Sequence, residues 1–144
     1  MTVAAILKHK GCDVVTVDPT RTIAEVVQIL TSKKIGAVLV LDSAEQLLGI
    51  VSERDIVNCL AVHGAAVLDM TAGQLMTRDL KTATRQTTEP EAMTMMTAGR
   101  FRHLPVVEDG QLIGLVSIGD VVKARIMQTE HEVDSLRAYV AGAA

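Results

Sequence analysis

A serine and an aspartate three residues apart occur twice at matching places in this chain. Gly49-Ile50-Val51-Ser52-Glu53-Arg54-Asp55 returns as Gly114-Leu115-Val116-Ser117-Ile118-Gly119-Asp120. Each copy ends a β-branched run and opens an apolar helical stretch, so each Ser stands at a helix N-cap. The first N–H groups of a helix and its dipole attract phosphate, and a serine hydroxyl adds a donor. A carboxylate one turn in can accept from two vicinal hydroxyls, as a ribose presents. Phosphate with ribose means a nucleotide or a nucleoside. The same Ser-x-x-Asp also caps a helix in the absence of any ligand, and on these residues alone both readings stand.

The elements that carry the pair are themselves repeated. Thr16, Thr22, Glu25, Thr31 and Val40 match Thr82, Thr88, Glu91, Thr97 and Val106 at one constant offset. Past the Asp42–Glu45 turn the offset shortens by one residue, and Gln46, Leu47, Gly49 and Val57 match Gln111, Leu112, Gly114 and Val122. A one-residue difference in a loop is what a duplication tolerates. Each half reads β-α-β-β-α. Strands are expected at Val14–Val17 and Leu80–Ala83, and a helix from Thr22 to Lys33 with Ile23, Val26, Val27 and Leu30 on one face. Thr22 with Glu25, and Thr88 with Glu91, have capping-box spacing. Hairpins follow at Ala37–Leu41 with Leu47–Val51, and at His103–Val107 with Gln111–Val116. The last helix is expected to run on to about Tyr139. The opening Val3–Leu7 and the connector around Thr71–Thr77 each suggest a short helical turn. The Gly three residues before each Ser marks a place where backbone or ligand approaches closely. The domain reading is repeat one over 1–66, a connector over 67–78, repeat two over 79–129, and a helical extension over 130–144.

Composition removes several function classes. Hydrophobic residues make up 49% of the 144-residue chain and charged residues 22%, enough for a packed core. Aromatics are 1%, only Phe101 and Tyr139, which argues against a stacking platform for single strands. A formal net charge of −3 argues against nucleic-acid backbone binding. No apolar run has the length of a membrane span, and the start lacks a signal-peptide pattern, so the expectation is a cytoplasmic protein. Cys12 and Cys59 have no metal-ligand spacing and read as buried, inert thiols. His103 is a possible general base by type, but no nucleophile or metal-ligand pair accompanies it, and the reading is not an enzyme. Met93, Met95 and Met96 read as core filler. With no Gly-x-Gly-x-x-Gly, any NAD would bind outside a Rossmann fold.

The ordered set of motifs resembles a tandem pair of CBS domains, the Bateman module. It comprises Gly-h-h-Ser-x-x-Asp in both halves (h, an apolar residue), the threonine entry, Leu75-Met76-Thr77 before the second copy, and the His103-Leu104-Pro105-Val106-Val107 strand. The resemblance spans about Met1 to Gln128. It implies an α/β fold in which two β-α-β-β-α repeats pack as one pseudo-twofold module, here with an extended C-terminal helix. It also implies a regulatory module for adenosine ligands: AMP foremost, with ADP, ATP, NAD(H) or S-adenosylmethionine as others, and no catalytic cofactor. Carried over by position, Asp55 and Ser52 serve one site, Asp120 and Ser117 the other. Thr16 and Thr82 lie near the sugar. Gly36 and Ala37, and Leu104 and Pro105, border the adenine. Arg54, Arg102 and His103 are the candidates for phosphate contact.

With no effector domain in the chain, regulation is expected to act in trans on an unknown partner protein. The resemblance further implies a homodimer, while the charge and the apolar runs give no expectation of a nucleic-acid or membrane partner. The alternative is a dimeric interaction scaffold without nucleotide sensing, in which both Ser-x-x-Asp units are caps.

Overall fold

The computed structural model describes residues 1–143; Ala144, the last residue of the expected extension, lies outside the described residues. The order is α1 (Val3–Lys10), β1 (Thr16–Val17), α2 (Ile23–Lys33), β2 (Ala37–Leu41), β3 (Leu47–Ser52) and α3 (Glu53–His63). A 3-10 segment (Gly64–Asp69) and α4 (Ala72–Leu75) lead to α5 (Glu89–Gly99), β4 (His103–Glu108), β5 (Gln111–Ser117) and α6 (Ile118–Ala143). This is a mixed α/β fold with two repeats and a long C-terminal helix. Two compact units are distinguished. One comprises Asp13–Lys81 with Glu108–Ile113; the other comprises Met1–Cys12, Thr82–Val107 and Gly114–Ala144.

In the first unit β1 runs parallel to β2 and β2 antiparallel to β3, in the order β1-β2-β3. The strand expected over Val14–Val17 is only Thr16–Val17. Its counterpart over Leu80–Ala83 reduces to a single parallel bridge, Ala83 to Val106. Val17, Val26, Leu30, Val38, Val40, Val51 and Ile56 form an aliphatic core cluster with Ala72 and Met76 from the connector. The connector thus seals the core. Ile50 exchanges both backbone bonds with Thr77, at 3.1 and 2.9 Å. In the other unit α6 packs on α1 and α5. Leu104, Val106, Val116 and Val121 are buried there with Val3 and Met96.

The two hairpin turns explain the one-residue difference between repeats. Asp42 Oδ1 accepts from the N–H groups of Ala44 and Gln46, both at 2.9 Å, and Glu45 has φ 62°. In the second hairpin Asp109 and Gly110 have φ 51° and 76°, the consecutive positive angles of a two-residue Asp-Gly turn.

Two local expectations are corrected. Thr22 and Thr88 cap α2 and α5 through the N–H of Glu25 and Glu91. The reciprocal half of the box is not made at Thr22: its hydroxyl, rather than its N–H, donates to Glu25 Oε1 at 3.0 Å. Cys12 is exposed and Cys59 half-buried, not sealed in a core. Cys12 follows Gly11 in the link between α1 and β1, where the chain has left the helix.

Candidate functional site

Both Ser-x-x-Asp units are full capping boxes. Asp55 N–H donates to Ser52 Oγ at 3.2 Å, while Asp55 Oδ2 accepts from Ser52 N–H at 3.0 Å and from its hydroxyl at 2.8 Å. Asp120 N–H donates to Ser117 Oγ at 3.1 Å, and Ser117 N–H returns a bond to Asp120 Oδ2 at 2.8 Å. In each case Oδ2 serves the cap. Oδ1 has no hydrogen bond among the described residues.

The β-ladder sets what surrounds each cap. Ala37 pairs across from Ser52, and Glu53 N–H donates to Gly36 O at 2.9 Å. Gly36, Ala37, Ser52 and Asp55 therefore meet at one end of the first sheet. Thr16 lies further along, opposite Leu39, and is exposed. Arg54 is exposed on the first turn of α3. In the second repeat Ile118 N–H donates to Arg102 O at 2.8 Å, the equivalent of the Glu53–Gly36 bond. That brings Arg102 and His103 beside Ser117. Arg102 is exposed and His103 half-buried, while Leu104 and Pro105 are buried. Thr82 is exposed, next to Ala83, whose N–H donates to Pro105 O at 2.8 Å.

The two motif glycines make room for the chain itself. A Cβ on Gly49 would lie 2.7 Å from both Met76 Sδ and Thr77 O. One on Gly114 would lie 2.8 Å from Leu7 Cδ2. Of the two alternatives the sequence left open, backbone and side chains of this chain take the space.

Lys10 is the residue that sequence reasoning missed. Its Nζ lies 2.6 Å from Asp120 Oδ2 and donates to Leu115 O at 2.8 Å. Burial pushes the Asp120 carboxyl up, but the Lys10 ammonium and the Ser117 N–H outweigh it and hold the group below the usual carboxylate range. The opening segment read as a lead-in to the first repeat. The available signal was Leu7, an aliphatic residue that a glycine elsewhere must accommodate. Glu89 was also missed. It begins α5 fully buried, with Oε2 3.5 Å from Arg125 Nη1 and Oε1 without a hydrogen bond. A carboxylate there is favoured by the helix dipole.

Among the described residues no group of three His, Cys, Asp or Glu could hold a metal ion, and no helix is long and apolar enough to cross a membrane.

The family model for the CBS domain matches twice, over residues 3–62 and 72–127. The chain is a CBS-domain protein. This CBS pair is 46% identical to a CBS-domain containing protein from Agrobacterium tumefaciens of known crystal structure, with TM-score 0.85 over 87% of this chain and 99% of that one. It is 36% identical to the mitochondrial CBS domain-containing protein CBSX3 of Arabidopsis thaliana, over 98% of this chain and 72% of that protein. Two ligand-bound structures are also similar. CBSX2 in complex with AMP is 29% identical, with TM-score 0.69, over 81% of this chain and 90% of that chain. The CBS pair of MJ0100 with 5′-methylthioadenosine and S-adenosyl-L-methionine is 25% identical, with TM-score 0.76, over 86% and 98%.

Proposed function

We propose that this CBS pair is a regulatory module that binds adenosine ligands at its two Ser-x-x-Asp sites and acts in trans on a partner protein. The observation that carries this reading is the free Oδ1 of each capping Asp. A pure cap needs one carboxylate oxygen and the serine hydroxyl. Each Asp retains a second acceptor at a helix N-terminus, where ribose hydroxyls can donate and a phosphate can follow the dipole. The ligands of the two related complexes, AMP in one and 5′-methylthioadenosine with S-adenosylmethionine in the other, share adenine on a ribose ring with free 2′- and 3′-hydroxyls. Adenosine is what an Asp for the ribose and an apolar border for the base select.

AMP is the first ligand of this reading, with ATP and NAD(H) next. Asp55 and Asp120 hold the ribose. Gly36-Ala37 and Leu104-Pro105 border the base through backbone edges, their side chains being largely buried. Thr16 and Thr82 lie toward the sugar, and Arg54, Arg102 and His103 toward phosphate. No catalytic step is assigned to any of them. A ligand then acts by its different affinity for two arrangements of the module, which the partner reads. Calorimetry of the full chain with AMP, ATP, NADH and S-adenosylmethionine tests it. Saturable binding of at least one ligand, lost in Asp55→Ala or Asp120→Ala, is expected; heats at the dilution level for all four would sink it.

A specific feature favours a homodimer alongside. Val122, Ile126, Val133, Leu136 and Val140 are exposed on α6 at alternating four- and three-residue steps, with Thr129 filling the remaining seam position. Such a seam fits the same helix of a second copy.

A further inference from the structure

We propose that the cleft between α1 and α6 is a phosphate-group site continuous with Asp120, so that the second adenosine site selects phosphorylated ligands. The cleft has a volume of about 680 Å³; Lys8, His9, Lys10, Lys123 and one carboxylate, Asp120, make up half of its lining, and apolar residues, Ile6 and Met127 among them, make up the other half. In a chain of net charge −3, three lysines and a histidine around one cavity form a local reversal of sign. Lys8 and Lys123 make no ion pair among the described residues, so their charge is not already neutralised within the fold. Lys10 alone is paired, at 2.6 Å to Asp120.

That pair resolves a conflict of charge. A carboxylate that holds ribose hydroxyls repels the phosphate attached to the same ribose. An ammonium within hydrogen-bond distance of the carboxylate offsets the repulsion and keeps donors available beside it. The first repeat lacks this device. Met76 fills against Gly49 as Leu7 does against Gly114. Asp55 has no ion pair with a lysine among the described residues, whereas Asp120 has one, which assigns phosphate preference to the site of Asp120.

The phosphate cleft stands on its own charges; only its link to a nucleoside rests on the adenosine reading above. Calorimetry on the full chain separates them, using inorganic tripolyphosphate, adenosine, AMP, ATP and S-adenosylmethionine. Wild type, Lys10→Met, Lys123→Met and the charge-matched control Lys33→Met, on α2, are compared. Tripolyphosphate is expected to bind wild type and Lys33→Met alike and to weaken about tenfold in each cleft variant, the loss of one charge-assisted contact. In an Asp55→Ala background, affinity is expected to rise from adenosine to AMP to ATP, with S-adenosylmethionine weakest. Absent tripolyphosphate binding, or equal weakening in Lys33→Met, overturns the cleft. So does nucleotide binding with an ATP-to-adenosine ratio that Lys10→Met and Lys123→Met leave unchanged, an outcome that spares the adenosine reading. Tripolyphosphate binding sensitive to Lys10 and Lys123 without any adenosine binding keeps the phosphate site and removes the nucleoside. Because Lys123 makes no ion pair among the described residues, its variant stands if Lys10→Met folds poorly.

Discussion

Asp120 and Asp55 are the same residue of the same motif, yet their surroundings differ by one lysine. Asp120 bonds Lys10 as well as the Ser117 N–H, and these partners hold its carboxyl below the usual carboxylate range despite its partial burial. The unfolded chain therefore takes up this proton at higher pH than the folded one. The stabilisation from Asp120 is fully present above about pH 4 and is lost as pH falls through the folded value. Melting temperatures measured from about pH 6 downward are expected to fall less steeply in Asp120→Asn than in wild type; parallel curves would show that Lys10 contributes nothing. Removing either cap also has a stability cost independent of ligand. Asp55→Ala is expected to lose about 1 kcal/mol in urea denaturation. Asp120→Ala should lose more, because Lys10 is left without its partner. The caps were legible as Ser-x-x-Asp spacing. Lys10 was not, because its contact with Asp120 joins residues far apart in sequence, and periodicity reports only neighbours along one element.

Elements were legible where burial is one-sided. The apolar face of α2 and the threonine caps of α2 and α5 fix those helices, and the β-branched runs fix both hairpins. The entry strands were over-read. Val14 and Val15 are apolar enough for a strand, but the ladder with β2 is limited to Thr16 and Val17, with one further bond from Leu39 N–H to Val15 O at 3.2 Å, and the second repeat keeps one bridge at Ala83. β-Propensity describes fit to a half-buried sheet and does not supply the partner. The helical lead-ins were legible as helices but not in their packing: Leu7 of α1 fills against Gly114, whereas Met76 and Thr77 fill against Gly49. This difference has a measurable consequence. Alanine at Gly49 meets a backbone oxygen at 2.7 Å, which cannot move without breaking the Ile50–Thr77 pairing. Alanine at Gly114 meets only the end of a leucine side chain. Gly49→Ala is expected to destabilise by about 1–3 kcal/mol and Gly114→Ala by clearly less, as urea midpoints would show. The reverse order would contradict the packing described.

At the scale of the whole molecule, the duplication presents two candidate sites, and α6 presents an exposed apolar seam. Leu136 is 63% exposed at the centre of the distal seam. Leu136→Glu places a charge where a second helix would pack, and light scattering is expected to shift from dimer to monomer mass with the melting temperature little changed. A wild type that is monomeric at high concentration removes the homodimer. The fold class and the repeat were legible because a duplicated pattern confirms itself. Ligand identity was not, since adenosine chemistry is common to all the candidates and the charges proposed to distinguish them meet only where α1 and α6 pack. The measurement that tests the central claim most directly is a thermal-shift titration with AMP on wild type, Asp55→Ala, Asp120→Ala and the double variant. Binding restricted to the folded state stabilises by about 2.7 kcal/mol at a hundred times the dissociation constant. A saturable rise in wild type, diminished in one single variant and absent in the double variant, is the predicted result. An equal rise in the double variant, or no rise in wild type with AMP or any other adenosine ligand, would contradict the account and leave both Ser-x-x-Asp units as helix caps.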